Sequence, residues 1–179
     1  LLWGIGAYNR LVGLSESTES QWANVQSAYQ RRADLIPNLV STVKGYADFE
    51  QSTLTDVIEA RSKATSVQIS ADNLTPEKVA EFQKAQGELK GALSRLLVSV
   101  ERYPDLKANQ NFLALQSQLE GTENRINVER DRFNEQVRTY NSSVKRIPTS
   151  LIAAVGGFDA RGYFEAEAEA QDAPEVSFE

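Results

Sequence analysis

The sequence predicts an all-α fold: an elongated up-and-down bundle of three long helices, with a short C-terminal helix and a tail after them. The first long helix is expected to kink or break at Pro37, and a break would make four. Three observations predict this architecture. Apolar residues recur at alternating spacings of three and four, the period of helices packed side by side. Prolines and capping residues fall where helices would start and stop. No segment alternates at period two for long, so no sheet is expected.

The first helix is read from Trp22, Val25, Tyr29, Arg32, Ile36, Leu39, Val43, Tyr46 and Glu50, one stripe that continues through Val57 to about Ala60. Pro37 sits inside it, where it removes one hydrogen bond and crowds the carbonyl of Ala33. Gly45 weakens the helix a little further on. Ahead of the stripe, Leu14 to Ser20 is polar and rich in capping residues, and reads as a flexible stalk or a solvated stretch of helix. Residues 64–75 are polar without period and read as a loop. Thr75-Pro76-Glu77 opens the second helix, with Thr at the N-cap, Pro in the first turn and an acid beside it. Its stripe is Val79, Phe82, Gln86, Leu89, Leu93, Leu96/Leu97 and Val100, and Tyr103-Pro104 ends it. The third helix starts near Asp105 or Ala108. Phe112, Leu119, Ile126, Phe133, Tyr140 and Ile147 fall at intervals of seven, with Gln116, Glu123, Arg130, Val137 and Val144 as a companion row. Pro148 stops it, Thr149 to Val155 makes a short turn of helix, and Gly156-Gly157 breaks the chain into a tail.

The organisation follows from composition and charge. The 179 residues suffice for one bundle with a sizeable core. Cys and His are both absent, which excludes disulfides, thiolate nucleophiles, imidazole bases and the usual zinc ligands. Met is also absent, even at position 1, as expected of a mature or trimmed segment. The net charge of -6 belongs to the tail: Glu165, Glu167, Glu169, Asp172, Glu175 and Glu179 are followed by no base, and the remaining 19 acids balance the 19 bases. The body therefore offers no basic field for nucleic acid. Leu1 to Ala7 is apolar and is followed by Tyr8-Asn9-Arg10. It is too short to span a bilayer, but suits either the last turns of a spanning helix, with Trp3 and Tyr8 at the interface, or an apolar end packed on the bundle. The domains expected are 1–10, the C-terminal remnant of an anchor; 11–157, the bundle; and 158–179, an acidic, aromatic tail that docks partly on the bundle through Phe158, Tyr163, Phe164 and Phe178.

Four charges stand on apolar stripes: Arg32, Glu50, Glu123 and Arg130. Charge removed from water is costly unless paired, so these four are expected to pair across helices as a buried polar layer that sets register. A second reading puts a ligand or partner site at Pro37, with Arg31, Asp34, Pro37, Asn38 and Lys44 as the candidate surface. Glu50, Glu120 and Glu123 could serve carboxylate chemistry, but no Glu-x-x-His unit supports a di-iron bundle, and Gly156-Gly157 lacks a phosphate-binding context. No catalytic residue, metal or cofactor is assigned. Phe133-Asn134 echoes Tyr140-Asn141 seven residues on, and reads as a packed ring beside an inter-helix amide.

Several blocks together resemble the LemA family. They are Tyr8-Asn9-Arg10-Leu11-Val12, Trp22, Arg31-Arg32-Ala33-Asp34-Leu35-Ile36-Pro37-Asn38-Leu39-Val40, Val43-Lys44-Gly45-Tyr46, Glu50 and Ala60-Arg61. Tyr103-Pro104-Asp105-Leu106-Lys107-Ala108, Leu115-Gln116, Leu119, Glu123-Asn124, Arg130, Phe133-Asn134, Tyr140-Asn141 and Pro148 continue the pattern. Phe133-Asn134 departs slightly, since the family usually has Tyr-Asn there. The resemblance implies a bacterial protein with one N-terminal membrane anchor in the cytoplasmic membrane and an extracytoplasmic helical domain. It brings no established activity and no catalytic residues. For partners it suggests a protein of the cell envelope, with a membrane metalloprotease system as the candidate, and no nucleic acid. The leading expectation is a membrane-anchored interaction or scaffold module. The alternatives are a hydrolase or lyase using buried carboxylates, and a purely structural spacer.

Overall fold

The computed structural model describes residues 2–46 and 48–166. Its elements are α1 (Leu2–Lys44), α2 (Gln51–Ser66), α3 (Pro76–Val100), the single turn α4 (Pro104–Lys107), α5 (Gln110–Lys145) and α6 (Thr149–Gly156), with no strand among the described residues. The all-α bundle expected from the stripes is what forms. Buried Trp22, Val25, Tyr29, Arg32, Ile36, Leu39 and Val43 give α1 its inner face, and Val79, Phe82, Gln86, Leu89, Leu93, Leu96 and Val100 give α3 its own. Thr75 caps α3 by accepting from the Lys78 amide, and Asn109 caps α5 by accepting from Phe112.

Neighbouring helices run antiparallel. Trp22 meets Phe133 while Arg32 meets Glu123, which orients α1 against α5. Glu50 meets Arg102 while Lys63 meets Glu88, which orients the α2–α3 hairpin. Two apolar clusters make the core. One gathers Ile36, Leu39, Val43, Leu54, Val57, Leu89, Leu96 and Phe112; the other gathers Trp22, Tyr29, Phe82, Ile126, Phe133 and Phe164. At 43 residues α1 is about 65 Å long. The shorter α2–α3 hairpin flanks only its C-terminal part, and α6 packs beside its first turns.

Two alternatives left open for α1 are decided, and the run of its stripe to Ala60 is corrected. The helix does not break at Pro37; it runs through it and ends at Lys44. The stripe instead breaks between Lys44 and Gln51, where the chain reverses. There the Phe49 ring turns into the core against Tyr103, whose hydroxyl donates to Asp48 O. Tyr46 donates to Asp105 O from the other side, so the bend is tied to the α3–α5 connection. Of the two readings of Leu14 to Ser20, the stretch of helix is the one that forms, with Leu11 just before it and Thr18 within it fully buried.

Candidate functional site

Pro37 leaves the Ala33 carbonyl without its helical donor. Arg61, reaching across from α2, supplies one: its Nε donates to Ala33 O at 2.8 Å. A charged donor here replaces the missing amide, which is why α1 passes through proline unbroken. One turn earlier Arg32 is almost wholly buried, at 1% exposure. Its Nη1 donates to Glu123 at 2.8 Å, and its Nη2 to Gln86 O at 2.9 Å and Gln86 Oε1 at 2.7 Å. The guanidinium thus joins α1, α3 and α5 in one polar layer between the two apolar clusters.

Of the four stripe charges, only Arg32 and Glu123 pair with each other. Glu50 flanks the start of α2 and pairs with Arg102 at 3.2 Å, near the surface. Arg130 turns to the C-terminal segment, donating to Glu165 O at 2.9 Å with its guanidinium 5.0 Å from the Phe164 ring centre. The reason is register. The inner rows of α5 carry Leu115, Thr122 and Glu129 beside Phe112, Leu119 and Ile126, so the companion row of Gln116, Glu123 and Arg130 is only half-buried. Glu129, which the stripes did not single out, is the deeply buried acid. It accepts from Gln21 at 2.7 Å and pairs with Arg125 and Arg132.

Tyr29, Arg32, Gln86, Lys90, Glu123 and Arg130 line a cleft of about 470 Å³ between α3 and α5. Burial pushes the Tyr29 hydroxyl above its ordinary pKa, against the opposing pull of Arg130 and Arg32. The lining of the cleft holds, among the described residues, three bases, Arg32, Lys90 and Arg130, and one acid, Glu123, which pairs with Arg32. Among the described residues no three acidic side chains converge as metal ligands would.

Arg31, Asp34, Pro37, Asn38 and Lys44, the candidate partner surface, are all exposed, on the side of α1 away from Arg32, Ile36, Leu39 and Val43. Asp34 accepts from Gln30, one turn back on the same face.

Residues 158–166 lie along the bundle, and side-chain amides hold them. Asn141 donates to Arg161 O and accepts from Arg161 N, at 2.9 and 2.8 Å. Asn134 does the same with Phe164, at 2.8 Å both ways, and Gln83 with Glu165. Gly162 donates to Leu74 O at 2.9 Å. A Cβ on Gly162 would lie 2.8 Å from Pro76 Cα, so only glycine passes there. The Arg161 guanidinium donates to Ser15 and Glu19 and covers the Tyr140 ring at 4.7 Å. Phe164 fills the aromatic cluster against Trp22, Phe82 and Phe133. The repeated aromatic-Asn pairs therefore join α5 to the tail backbone, where the sequence suggested an inter-helix contact. The signal that could have found Arg161 was its place as the lone base after Arg146. Phe178 lies outside the described residues.

The LemA family model matches residues 21–178. This chain belongs to the LemA family. The match takes in the buried layer, the Pro37 segment and the clasped tail, and begins within α1, at Gln21. It is similar to magnetosome protein MamQ 1 of Paramagnetospirillum magneticum, 27% identical over 189 aligned positions that cover 95% of this chain and 68% of the relative. MamQ of Magnetospirillum gryphiswaldense is 26% identical over the same shares. Protein LemA of Metamycoplasma hominis is 25% identical over 149 positions, 83% of this chain and 64% of that one. None of these LemA-type names carries an enzymatic activity. Among the described residues no helix is long and apolar enough to cross a membrane.

Proposed function

We propose that this chain is the rigid, non-catalytic outer part of a membrane-tethered protein, and that it holds a protein partner of the cell envelope on the α1 face from Arg31 to Lys44. The observation that carries the reading is the construction of that face. Five exposed side chains, Arg31, Asp34, Pro37, Asn38 and Lys44, stand over a segment fixed from behind by Arg32 and Arg61. A backbone already held in place loses little freedom on binding. The tether is supported by the apolar start of α1, Leu2 to Ala7, continuous with the packed helix, and by what the family resemblance implies: a single span of a bacterial cytoplasmic membrane, with this domain outside. A membrane metalloprotease system is the partner class the resemblance suggests. The carboxylate reading is weakened, because Glu123 and Glu50 each have an arginine partner, at 2.8 and 3.2 Å.

The test is a photo-reactive residue at Asn38 in the full-length protein in intact membranes, with one at exposed Asn127 on α5 as the control. A discrete adduct with another protein at Asn38 alone is expected. Self-adducts only, or equal adducts at both sites, overturn the reading. The length of α1 favours a second reading, a spacer that merely holds something off the membrane. Substitutions of Arg31, Asp34 and Asn38 that keep the fold but abolish function would eliminate it.

A further inference from the structure

At one end of the bundle apolar side chains face outward. On α6, Ile152 packs toward α1, its Cδ1 3.7 Å from where a Cβ on Gly4 would stand, and Ala153 is buried. Leu151 and Val155, spaced i and i+4 on the other face, are 68% and 91% exposed. Ile147 just before α6 is 82% exposed, and Leu2, Trp3, Ile5 and Tyr8 on the adjoining turns of α1 are also open. Tyr8 and Phe158 meet edge to face, which fixes α6 alongside these turns. Large apolar side chains left open together on two adjoining elements mark a candidate interaction site.

Charge decides which occupant it fits. The two stretches that meet here, residues 2–15 and 136–158, contain Arg10, Arg138, Lys145 and Arg146 and no acid; Glu16, Glu135 and Asp159 are the acids that bound them. Arg10 and Arg146 line one cleft with Trp3 and Thr149. In a chain of net charge -6, this end is a local cationic fringe around an apolar face. That pairing matches an anionic lipid surface, which takes apolar side chains between its headgroups and holds basic ones at their level. At eight residues α6 is too short to cross.

We infer that α6 is an interfacial helix, which lies on an anionic bilayer through Leu151 and Val155 beside the first turns of α1. The inference rests on the tether reading for which end of the bundle meets the lipid, but its test does not pass through the anchor. The 179-residue chain is mixed with vesicles of phosphatidylcholine plus phosphatidylglycerol, and with phosphatidylcholine alone, and bound protein is measured by sedimentation. Binding to the anionic vesicles is expected to weaken with salt, and to fall about tenfold or more in the double variant Leu151→Asp, Val155→Asp. Both positions are exposed, so circular dichroism should show an unchanged fold. If the double variant binds as the parent does, α6 has no part in it and the tether reading stands alone. No vesicle binding by the parent, or a self-associated dimer that the double variant abolishes, also overturns the inference. Whether the full-length protein fractionates with membranes tests the tether separately.

Discussion

The bond from Arg61 to Ala33 O makes a quantitative claim. Proline inside a helix costs about 3 kcal/mol, from a lost hydrogen bond and a clash. Arg61 restores the bond with a charged donor at 2.8 Å, and hydrogen bonds to charged groups contribute about 1.5–3 kcal/mol. Arg61→Ala should therefore destabilise by about 1.5–3 kcal/mol, since it leaves a buried carbonyl unpaired. In a Pro37→Ala background the new amide at position 37 can reach Ala33 O, so the same arginine substitution should cost far less. The double-mutant cycle should give a coupling of about 1–2 kcal/mol, well above the few tenths expected of independent sites. Urea denaturation followed by circular dichroism measures all four corners. Additivity within about 0.5 kcal/mol would refute the claim that the arginine stands in for the missing amide.

Arg32→Ala leaves Glu123 and Gln86 without their shared donor and should cost about 3–5 kcal/mol, whereas Arg102→Ala, which breaks a surface pair with Glu50, should stay within about 1 kcal/mol; equal costs in urea melts would remove the distinction between the two pairs. Asn141→Ala removes both amide bonds to Arg161, about 1–3 kcal/mol. If local opening becomes about 2 kcal/mol easier, tryptic cleavage at Arg161 should speed up about thirtyfold, and an unchanged cleavage rate would contradict the clasp. Tyr29 and Tyr140 are both raised above 10.0, chiefly by burial. The unfolded chain then loses these protons first, so stability is full below the ordinary tyrosine value and declines as pH rises through the folded ones. Tyr29→Phe should flatten that alkaline decline in melts run across the range, and an unaltered slope would show the hydroxyl is not responsible.

The helices were legible where burial and period coincide, as in α3, where seven of the eight stripe residues are inside and Leu97 is half-buried. The turn at Gly45 was not, because Tyr46, Glu50 and Val57 happen to continue the α1 period, while the forces that bend the chain come from Tyr103 and Asp105, more than 50 residues away. Whether Pro37 would kink or break the helix stayed open in the sequence for the same reason: its compensating donor lies on another helix. On α5 the inner row contains Thr122 and Glu129, polar residues that no hydrophobic pattern selects. Arg32 was found because a charge in the middle of an apolar stripe must be paired; that Glu123 alone among the other three reaches it depends on helix rotation, which local spacing does not set. The exposed face at Arg31 to Lys44 follows directly from the stripe opposite it.

Asn134 and Asn141 stand seven residues apart on α5, and the residues they grip, Arg161 and Phe164, stand three apart. Seven helical residues rise about 10.5 Å, and three extended residues advance about 10 Å. The two scales coincide like the marks of a vernier. Slipping the tail by one residue would put a side chain where only Gly162 clears Pro76, and would take Phe164 out of its socket. The amides read main chain alone, so Tyr163 is free to vary between fixed marks. An inserted residue on either scale, unmatched on the other, would leave the tail out of step with the helix that measures it.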